Sequence, residues 1–151
     1  MWNYLKSPTY FNTFDPELRF EWTDYVPYGD SFQTVTNWNG LIASNLHVKT
    51  GNSSALWDNH GVTNSIVMKS FVTDWSNFQY LTIWVYNEIA NNETIAMTLS
   101  SENTSSPGYD YYIQNFKSNF VGWNQVVFNK SNFGVVRNPL GWANITGISI
   151  R

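Results

Sequence analysis

Hydrophobic and polar residues alternate most regularly in the stretch from Asp74 to Asn87. After turn-forming residues, every second position is aliphatic, and the positions between carry a threonine and two large rings. The aliphatic positions are Leu81, Ile83 and Val85, and the others are Thr82, Trp84 and Tyr86. This period of two predicts a β-strand whose aliphatic side faces a core. Rings are unfavourable on a face that meets only water, so either a second layer of the protein or a ligand covers them.

Shorter strand-like segments follow one another along the rest of the chain and are separated by turn signals. We expect strands within residues 31–36, 46–49, 54–59, 65–71, 94–101, 109–116, 123–128 and 145–150. No segment shows the period of 3.6 that is typical of a helix. The pattern therefore predicts an all-β fold with very little helix, built as a two-sheet antiparallel β-sandwich of the jelly-roll type.

The length of 151 residues fits a single domain, residues 1–151, that is large enough to bury its own core. The first residues, to about 44, alternate poorly and contain several turn formers. They predict an irregular N-terminal arm with one or two short strands.

Two strands supply the residues that we expect between the sheets. These are Leu81, Ile83, Val85, Ile95, Met97 and Leu99. Two further large residues, Trp123 and Trp142, each follow a glycine. A glycine lets the backbone bend so that the ring caps an end of the sandwich, and we assign both rings to packing. The alternative for both is stacking on a sugar.

The aromatic content is unusually high, at 18% with eight tryptophans. One interpretation is a β-protein whose sheets pack with large side chains. The other is a sugar-binding surface, because the apolar C–H faces of pyranose rings lie flat on aromatic rings while their hydroxyls need amide and carboxylate partners. The composition leaves both interpretations open.

Charge narrows the range of partners. Charged residues make up 13% of the chain, the net charge is −3, and the eight lysines and arginines are scattered. Nucleic acids and anionic membranes require clustered basic residues, so we expect neither as a partner. No apolar run is long enough for a membrane helix, and no signal peptide is recognisable. Cysteine is absent, which excludes disulfides and thiolate metal sites.

The sequence offers little for catalysis. It has no Gly-x-Ser-x-Gly motif, so an activated serine of that kind is absent. A glycosidase needs two carboxyl groups at a defined separation across a cleft. Glu17 and Glu21 lie in the irregular arm, and Glu88 and Glu102 lie at strand ends near aromatic residues. We therefore expect a protein that is not an enzyme.

A structural calcium ion is the one cofactor that the sequence brings into consideration. Calcium binds carboxylate and backbone oxygens. Asp15 and Glu17, with carbonyl groups from Thr50 to Ser53, are the candidate ligands. The alternative is that Asp15 and Pro16 only form a turn.

Several stretches resemble motifs of carbohydrate-binding modules of the galactose-binding-like β-jelly-roll type. They are Gly-Asn-Ser-Ser-Ala-Leu-Trp at 51–57, the stretch 74–87 with its Asp-Trp-Ser start and Trp-Val-Tyr-Asn end, and the late Gly-Trp pairs within 122–128 and 137–142. The resemblance covers roughly residues 51–150. It implies binding without catalysis and attachment to a larger enzyme, as in polysaccharide lyases with heparinase II/III-like chains. It also implies a monomeric module in a secreted or cell-surface protein.

The leading hypothesis is a non-catalytic carbohydrate-binding module that targets an appended polysaccharide-degrading enzyme to a polysaccharide or oligosaccharide. The alternatives are a small autonomous polysaccharide lyase or glycoside hydrolase, and a purely structural domain of a larger enzyme. We expect five residues to line one sugar-binding groove, in which rings stack on sugars and polar groups contact hydroxyls. They are Trp84, Tyr86, Glu102, Tyr112 and Gln114.

Overall fold

The structure, a computed structural model, describes residues 18–22, 35–36, 38–49, 52–57, 67–104 and 109–151. Its strands are β1 Leu18–Trp22, β2 Ile42–Ser44, β3 Ser54–Leu56, β4 Val67–Thr73, β5 Tyr80–Asn87, β6 Thr94–Ser100, β7 Tyr111–Lys117, β8 Gly122–Asn129, β9 Gly134–Val136 and β10 Ile145–Ile150. Helical structure within these ranges is limited to the 3₁₀ turns Lys130–Asn132 and Trp142–Asn144. Neither turn has the length or the apolar character to span a lipid bilayer.

The strands form two main sheets and one short hairpin. The three-stranded sheet has the order β1-β5-β8, and the five-stranded sheet has the order β4-β10-β6-β7-β9. All their neighbours pair antiparallel, as do β2 and β3 in the hairpin. The predicted all-β antiparallel sandwich of the jelly-roll type, with very little helix, is confirmed. The central stretch that alternates so regularly is β5, the middle strand of its sheet.

The core lies between these two sheets. It contains the aliphatic side of β5 and the facing sides of β6, β7, β8 and β10. Its members from these strands are Leu81, Ile83, Val85, Met97, Leu99, Tyr112, Phe128, Ile145, Ile148 and Ile150, and the half-buried Ile95 packs against them. The prediction for the two strands β5 and β6 is confirmed because alternation in both sheets directs the aliphatic residues inward.

Most of the predicted strand 31–36 lies outside the described residues, and elsewhere in the described ranges the structure differs from the predicted strands at two places. Residues 46–49 form bends and not a strand, and the strand of this region is β2, which ends at Ser44. His47 has a left-handed backbone conformation, with φ of 51°, that does not fit a strand. The three-residue strand β9 was not predicted, because it carries too few residues for alternation to be recognised and depends on pairing with β7.

A substitution inside the core tests this arrangement. Ile83 is fully buried in the middle of β5. We expect Ile83→Ala to lower the free energy of unfolding by ~2–5 kcal/mol, since it removes buried methyl groups and leaves a cavity. Chemical denaturation measures the change. Ile89→Ala is the matched control, because that side chain is 71% exposed; equal stability of the two variants would mean that β5 has been given the wrong register.

Candidate functional site

Three large rings lie on the side of the three-stranded sheet that faces away from the core. Trp84 and Tyr86 project from β5, and the register of β8 places Trp123 opposite Tyr86 and Gln125 opposite Trp84. None of these residues belongs to the core cluster. The rings of Tyr86 and Trp123 meet edge to face, with centroids 5.5 Å apart and planes at 65°. We call Trp84, Tyr86, Trp123 and Gln125 the aromatic face.

The local sequence explains why these rings share one side. In β5 the period of two separates the rings from the aliphatic residues, and in β8 it separates Trp123 and Gln125 from Val126 and Phe128, which pack toward the core. The strand β8 begins at Gly122, whose φ of +79° is unfavourable for other residues, although no atom lies within 4 Å of an added Cβ. The glycine therefore serves the backbone turn that leads into Trp123.

A short segment, residues 45–49, forms a partial second layer over this face, and we call it the roof. The ring of His47 stacks on Tyr86 with a centroid separation of 4.1 Å and an interplanar angle of 14°. Its Nε2 lies 3.0 Å from Oε1 of Glu88. The Nζ atom of Lys49 lies 3.8 Å from the ring centroid of Trp84. Such cation–π contact is favourable because the ammonium group meets the negative face of the indole.

The cover provided by the roof is incomplete. Trp84, Tyr86 and Trp123 remain half-buried, while Gln125 is exposed and Thr82, on the same side of β5, is fully buried. The Trp84 Nε1 atom is buried and has no hydrogen-bond acceptor in the described part of the chain. A buried donor without an acceptor is unfavourable, and hydrogen-bonding groups of a ligand are one way to satisfy it.

The five residues predicted to line one groove are not brought together. Tyr112 lies opposite Leu99, and Gln114 lies opposite Met97, on the core side of the five-stranded sheet. Trp84 and Tyr86 lie on the far side of the other sheet. The reason is topological, since β7 pairs with β6 and β9 and not with β5. Sugar contact by these residues stays a prediction, but they do not share one groove.

Tyr112 is 7% exposed and stacks on Trp142, with ring centroids 4.1 Å apart. Burial raises the pKa of its hydroxyl group. The prediction that the Trp142 ring serves packing is confirmed. This ring also meets Phe133 edge to face, and it packs against the core. The assignment of Trp123 to packing stays a prediction, because its ring lies outside the core cluster and beside Tyr86 on the aromatic face.

The remaining predicted groove residue, Glu102, lies just after β6. Its Oε2 atom accepts hydrogen bonds from the backbone N–H groups of Tyr109 and Asp110, both at 3.4 Å. These contacts tie together the two ends of the connection between β6 and β7. Glu102 therefore lies at the five-stranded sheet and away from the aromatic face.

Asp110 is a second carboxylate that organises this end of the sandwich. Its oxygens accept hydrogen bonds from the backbone N–H groups of Asn103 at 3.2 Å, Thr104 at 3.0 Å and Asn138 at 3.1 Å. Burial alone would raise the pKa of this carboxyl group. The hydrogen bonds from Asn138, Asn103 and Thr104 more than offset burial, so the pKa lies below its ordinary value. The charged form of Asp110 thus links two loops.

Most of the predicted calcium ligands lie outside the described residues. This holds for Asp15, Glu17 and Thr50, while Ser53 is described and half-buried. Within the described ranges, no three histidine, aspartate or glutamate side chains come together as metal ligands. Calcium stays a prediction for this protein.

One solved structure shares this architecture. The family 11 carbohydrate-binding module from Clostridium thermocellum, in complex with a β-1,3-1,4-mixed-linked tetrasaccharide, aligns with 88% of this chain and 84% of its own at a TM-score of 0.56 and 16% identity. The two proteins share a fold. No protein-family model and no curated protein sequence matches the chain.

Three residues of the candidate site, Gln125, His47 and Lys49, were not predicted, and for Trp123 sugar contact was only the alternative to packing. Trp123 and Gln125 were within reach, since alternation in β8 places both opposite Val126 and Phe128. His47 and Lys49 were not, because no local pattern shows that a bend after β2 crosses β5. Their position depends on tertiary packing alone.

The lowered pKa of Asp110 predicts a pH-dependent contribution to stability. A carboxylate with a lowered pKa in the folded state stabilises the fold above its unfolded pKa of about 4. This contribution is lost as the pH falls through the lower folded value. We expect Asp110→Asn to reduce the melting temperature at pH 7, and the difference from the parent protein to shrink steadily below about pH 4.

Thermal denaturation followed by circular dichroism between pH 2 and pH 7 measures this difference, with about half-unit steps near the transition. Glu93→Gln serves as the control, because that residue is exposed, and its variant should follow the parent protein at every pH. A stability difference for Asp110→Asn that is independent of pH would show that shape, and not charge, is what the loops require.

Proposed function

We propose that this protein is a carbohydrate-binding module that binds glycans at the aromatic face. The observation that carries the proposal is the placement of three large rings, Trp84, Tyr86 and Trp123, outside the core of the sandwich. Rings used only for packing belong between the sheets, as Tyr112 and Trp142 do. Support also comes from the shared fold, since the similar module from Clostridium thermocellum is in complex with a tetrasaccharide.

The chemistry of this face suits sugars. The C–H faces of pyranose rings would stack on the indole and phenol rings, which offer flat apolar surface. The exposed amide of Gln125 and the 69% exposed carboxylate of Glu88 would bind hydroxyl groups at the edges of the rings. The unsatisfied Nε1 donor of Trp84 would gain an acceptor. The neighbouring strands β5 and β8 thus provide both stacking surfaces and hydrogen-bonding groups for a sugar.

The roof occupies the place that a sugar would take on two rings. His47 lies flat on Tyr86, and Lys49 lies over Trp84, each at a distance typical of a stacked ligand. We propose that a glycan replaces these side chains on the ring faces. The exposed position of His47 and the absence of strand pairing in residues 46–49 make this exchange feasible.

We further propose that the module acts as part of a larger secreted or cell-surface protein and brings an appended polysaccharide-degrading enzyme, such as a lyase, to its substrate. Long polysaccharides are encountered mostly outside cells, and a binding module is useful to an enzyme because it concentrates the enzyme on its substrate. We also propose that the module acts as a monomer, because one aromatic face is enough to bind one glycan chain.

No observation among the described residues favours catalysis by the chain itself. The carboxylates near the aromatic rings have structural partners, since Glu88 meets His47, and Glu102 binds backbone N–H groups at the other sheet. A glycan panel that includes the β-1,3-1,4-mixed-linked tetrasaccharide tests both activities. Calorimetry shows binding, and analysis of the products after long incubation shows turnover. Turnover would favour an autonomous lyase or hydrolase, and the absence of any binding would favour a purely structural domain.

We expect Trp84→Ala to weaken glycan binding at least about tenfold. Stacking of nucleic-acid bases on aromatic rings contributes ~1–3 kcal/mol per ring, and we take the same scale for sugars. About 1.4 kcal/mol corresponds to one decade in the dissociation constant. Calorimetry with the tightest ligand of the panel measures the change. The melting temperature should remain close to that of the parent protein, since Trp84 lies outside the core cluster.

Trp142→Ala is the matched control for this substitution. Its ring stacks on Tyr112 and contacts Phe133, so its loss should lower stability by roughly 2–4 kcal/mol, somewhat less than for a fully buried ring. Glycan affinity of the folded fraction should not change. The assignment fails if Trp84→Ala binds as tightly as the parent protein, or if folded Trp142→Ala has lost binding.

Removal of the roof side chains tests the exchange. We expect the double variant His47→Ala, Lys49→Ala to bind the same glycan at least as tightly as the parent protein, because the ring faces no longer have to be uncovered. Calorimetry gives the affinity, and tryptophan fluorescence reports the exposure of the rings. A large loss of affinity would show that His47 and Lys49 contact the sugar and do not compete with it.

A further inference from the structure

Two tyrosine–arginine pairs lie at the five-stranded sheet and are not used by the aromatic face. The Cζ atom of Arg137 lies 4.3 Å from the ring centroid of Tyr109, and that of Arg151 lies 5.4 Å from the ring centroid of Tyr111. Tyr111 begins β7 and points away from the core, because its neighbour Tyr112 points into it. We call Tyr109, Tyr111, Arg137 and Arg151 the Tyr–Arg face.

The register places Tyr111 and Arg137 at one end of the sheet and the backbone of Arg151 toward the other end. Val136, next to Arg137, lies opposite Tyr111 on β9. Arg151 continues β10 and exchanges backbone hydrogen bonds with Ala96, while Tyr111 lies opposite Ser100 at the other end of β6. The line from Arg151 to Tyr111 therefore crosses β6 near Thr98. Asp110 holds Asn138 and thereby fixes the loop that carries Arg137.

Neither guanidinium group has an anionic partner in the part of the chain that the structure describes. Among the described residues, neither Arg137 nor Arg151 forms an ion pair or a hydrogen bond through its side chain, and both are exposed. A guanidinium group over an aromatic ring has a fixed plane, and its N–H groups point outward along its edge. This geometry suits a planar or tetrahedral anion that accepts two parallel hydrogen bonds.

A buried hydroxyl group marks the same surface. Thr98 points away from the core, yet it is 3% exposed, and its Oγ1 atom has no hydrogen-bond partner within the described part of the chain. Ser149, opposite Thr98 on β10, is also buried. Both side chains are too deeply buried to contact a ligand, so the exposed guanidinium groups are the part of this face that a ligand reaches.

We infer that the Tyr–Arg face is a second ligand site, selective for oligosaccharides that carry carboxylate groups. The guanidinium groups of Arg137 and Arg151 bind the carboxylates of the oligosaccharide. A nucleic acid would require more clustered basic residues than the eight of this chain. The site lies on the other sheet from the aromatic face, so it does not depend on the proposed function of that face.

The probes are a tetrasaccharide of galacturonic acid and the same tetrasaccharide after reduction of its carboxyl groups to neutral galactose. We expect the parent protein to bind the acidic form about tenfold more tightly at low salt, and the preference to shrink as salt is added. Equal affinity for both forms would overturn the inference. Competition by free acetate as effective as that by the oligosaccharide, at equal carboxylate concentration, would also overturn it, since it would show a simple anion site.

Two sets of variants locate the site. Arg137→Gln with Arg151→Gln should abolish the preference, whereas Arg137→Lys with Arg151→Lys should keep the charge and lose most of the preference, because lysine lacks the planar fork. Trp84→Ala should leave the affinity for the acidic tetrasaccharide unchanged, even where it abolishes binding of neutral glycans. A preference that survives both changes to glutamine, or an affinity for the acidic tetrasaccharide that disappears in Trp84→Ala, would place the carboxylate elsewhere and refute the assignment.

Discussion

The apolar contact between the inner sides of β5 and β6 is the interaction on which the rest of this structure depends. Ile83 and Met97 are fully buried, and Leu99 is nearly so. Burial of each such side chain contributes ~1.5–3 kcal/mol. Because side chains alternate strictly along a strand, this contact also decides what lies on the two outer sides of the sandwich. A slip of one residue in β5 would bury Trp84 and Tyr86 and expose the aliphatic residues.

Polar contacts outside the core hold the loops at the strand ends in place. The Nζ atom of Lys130 donates hydrogen bonds to the carbonyl oxygens of Trp75 at 3.2 Å and Ser76 at 2.6 Å. Burial lowers the pKa of this ammonium group, and the nearby Asp74 only partly opposes the effect. Asp110 performs the equivalent task with a carboxylate between β7 and the loop after β9. Each charge binds several backbone groups, so the loops have defined positions.

The two outer sides of the sandwich differ in the chemistry that they offer. The aromatic face combines three rings with an amide and is partly covered by His47 and Lys49. The Tyr–Arg face combines exposed guanidinium groups with a buried hydroxyl. Flat apolar surface suits neutral sugar rings, whereas fixed guanidinium groups suit anions. The two proposed sites thus lie on different sheets of the sandwich.

The sequence by itself determined the fold class, the inner side of the sandwich and part of the aromatic face. Alternation is a property of neighbouring residues, so the strands β5, β6 and β10 and the buried positions of β5 and β6 were predictable. The placement of Trp84 and Tyr86 on the same side of β5 was predictable for the same reason. Which strands lie side by side depends on contacts between distant residues. The tertiary structure therefore decided that Tyr112 and Gln114 face the core and that Trp123 joins Tyr86. It also decided that a bend carrying His47 and Lys49 covers the rings, because no local pattern encodes where a loop crosses a sheet.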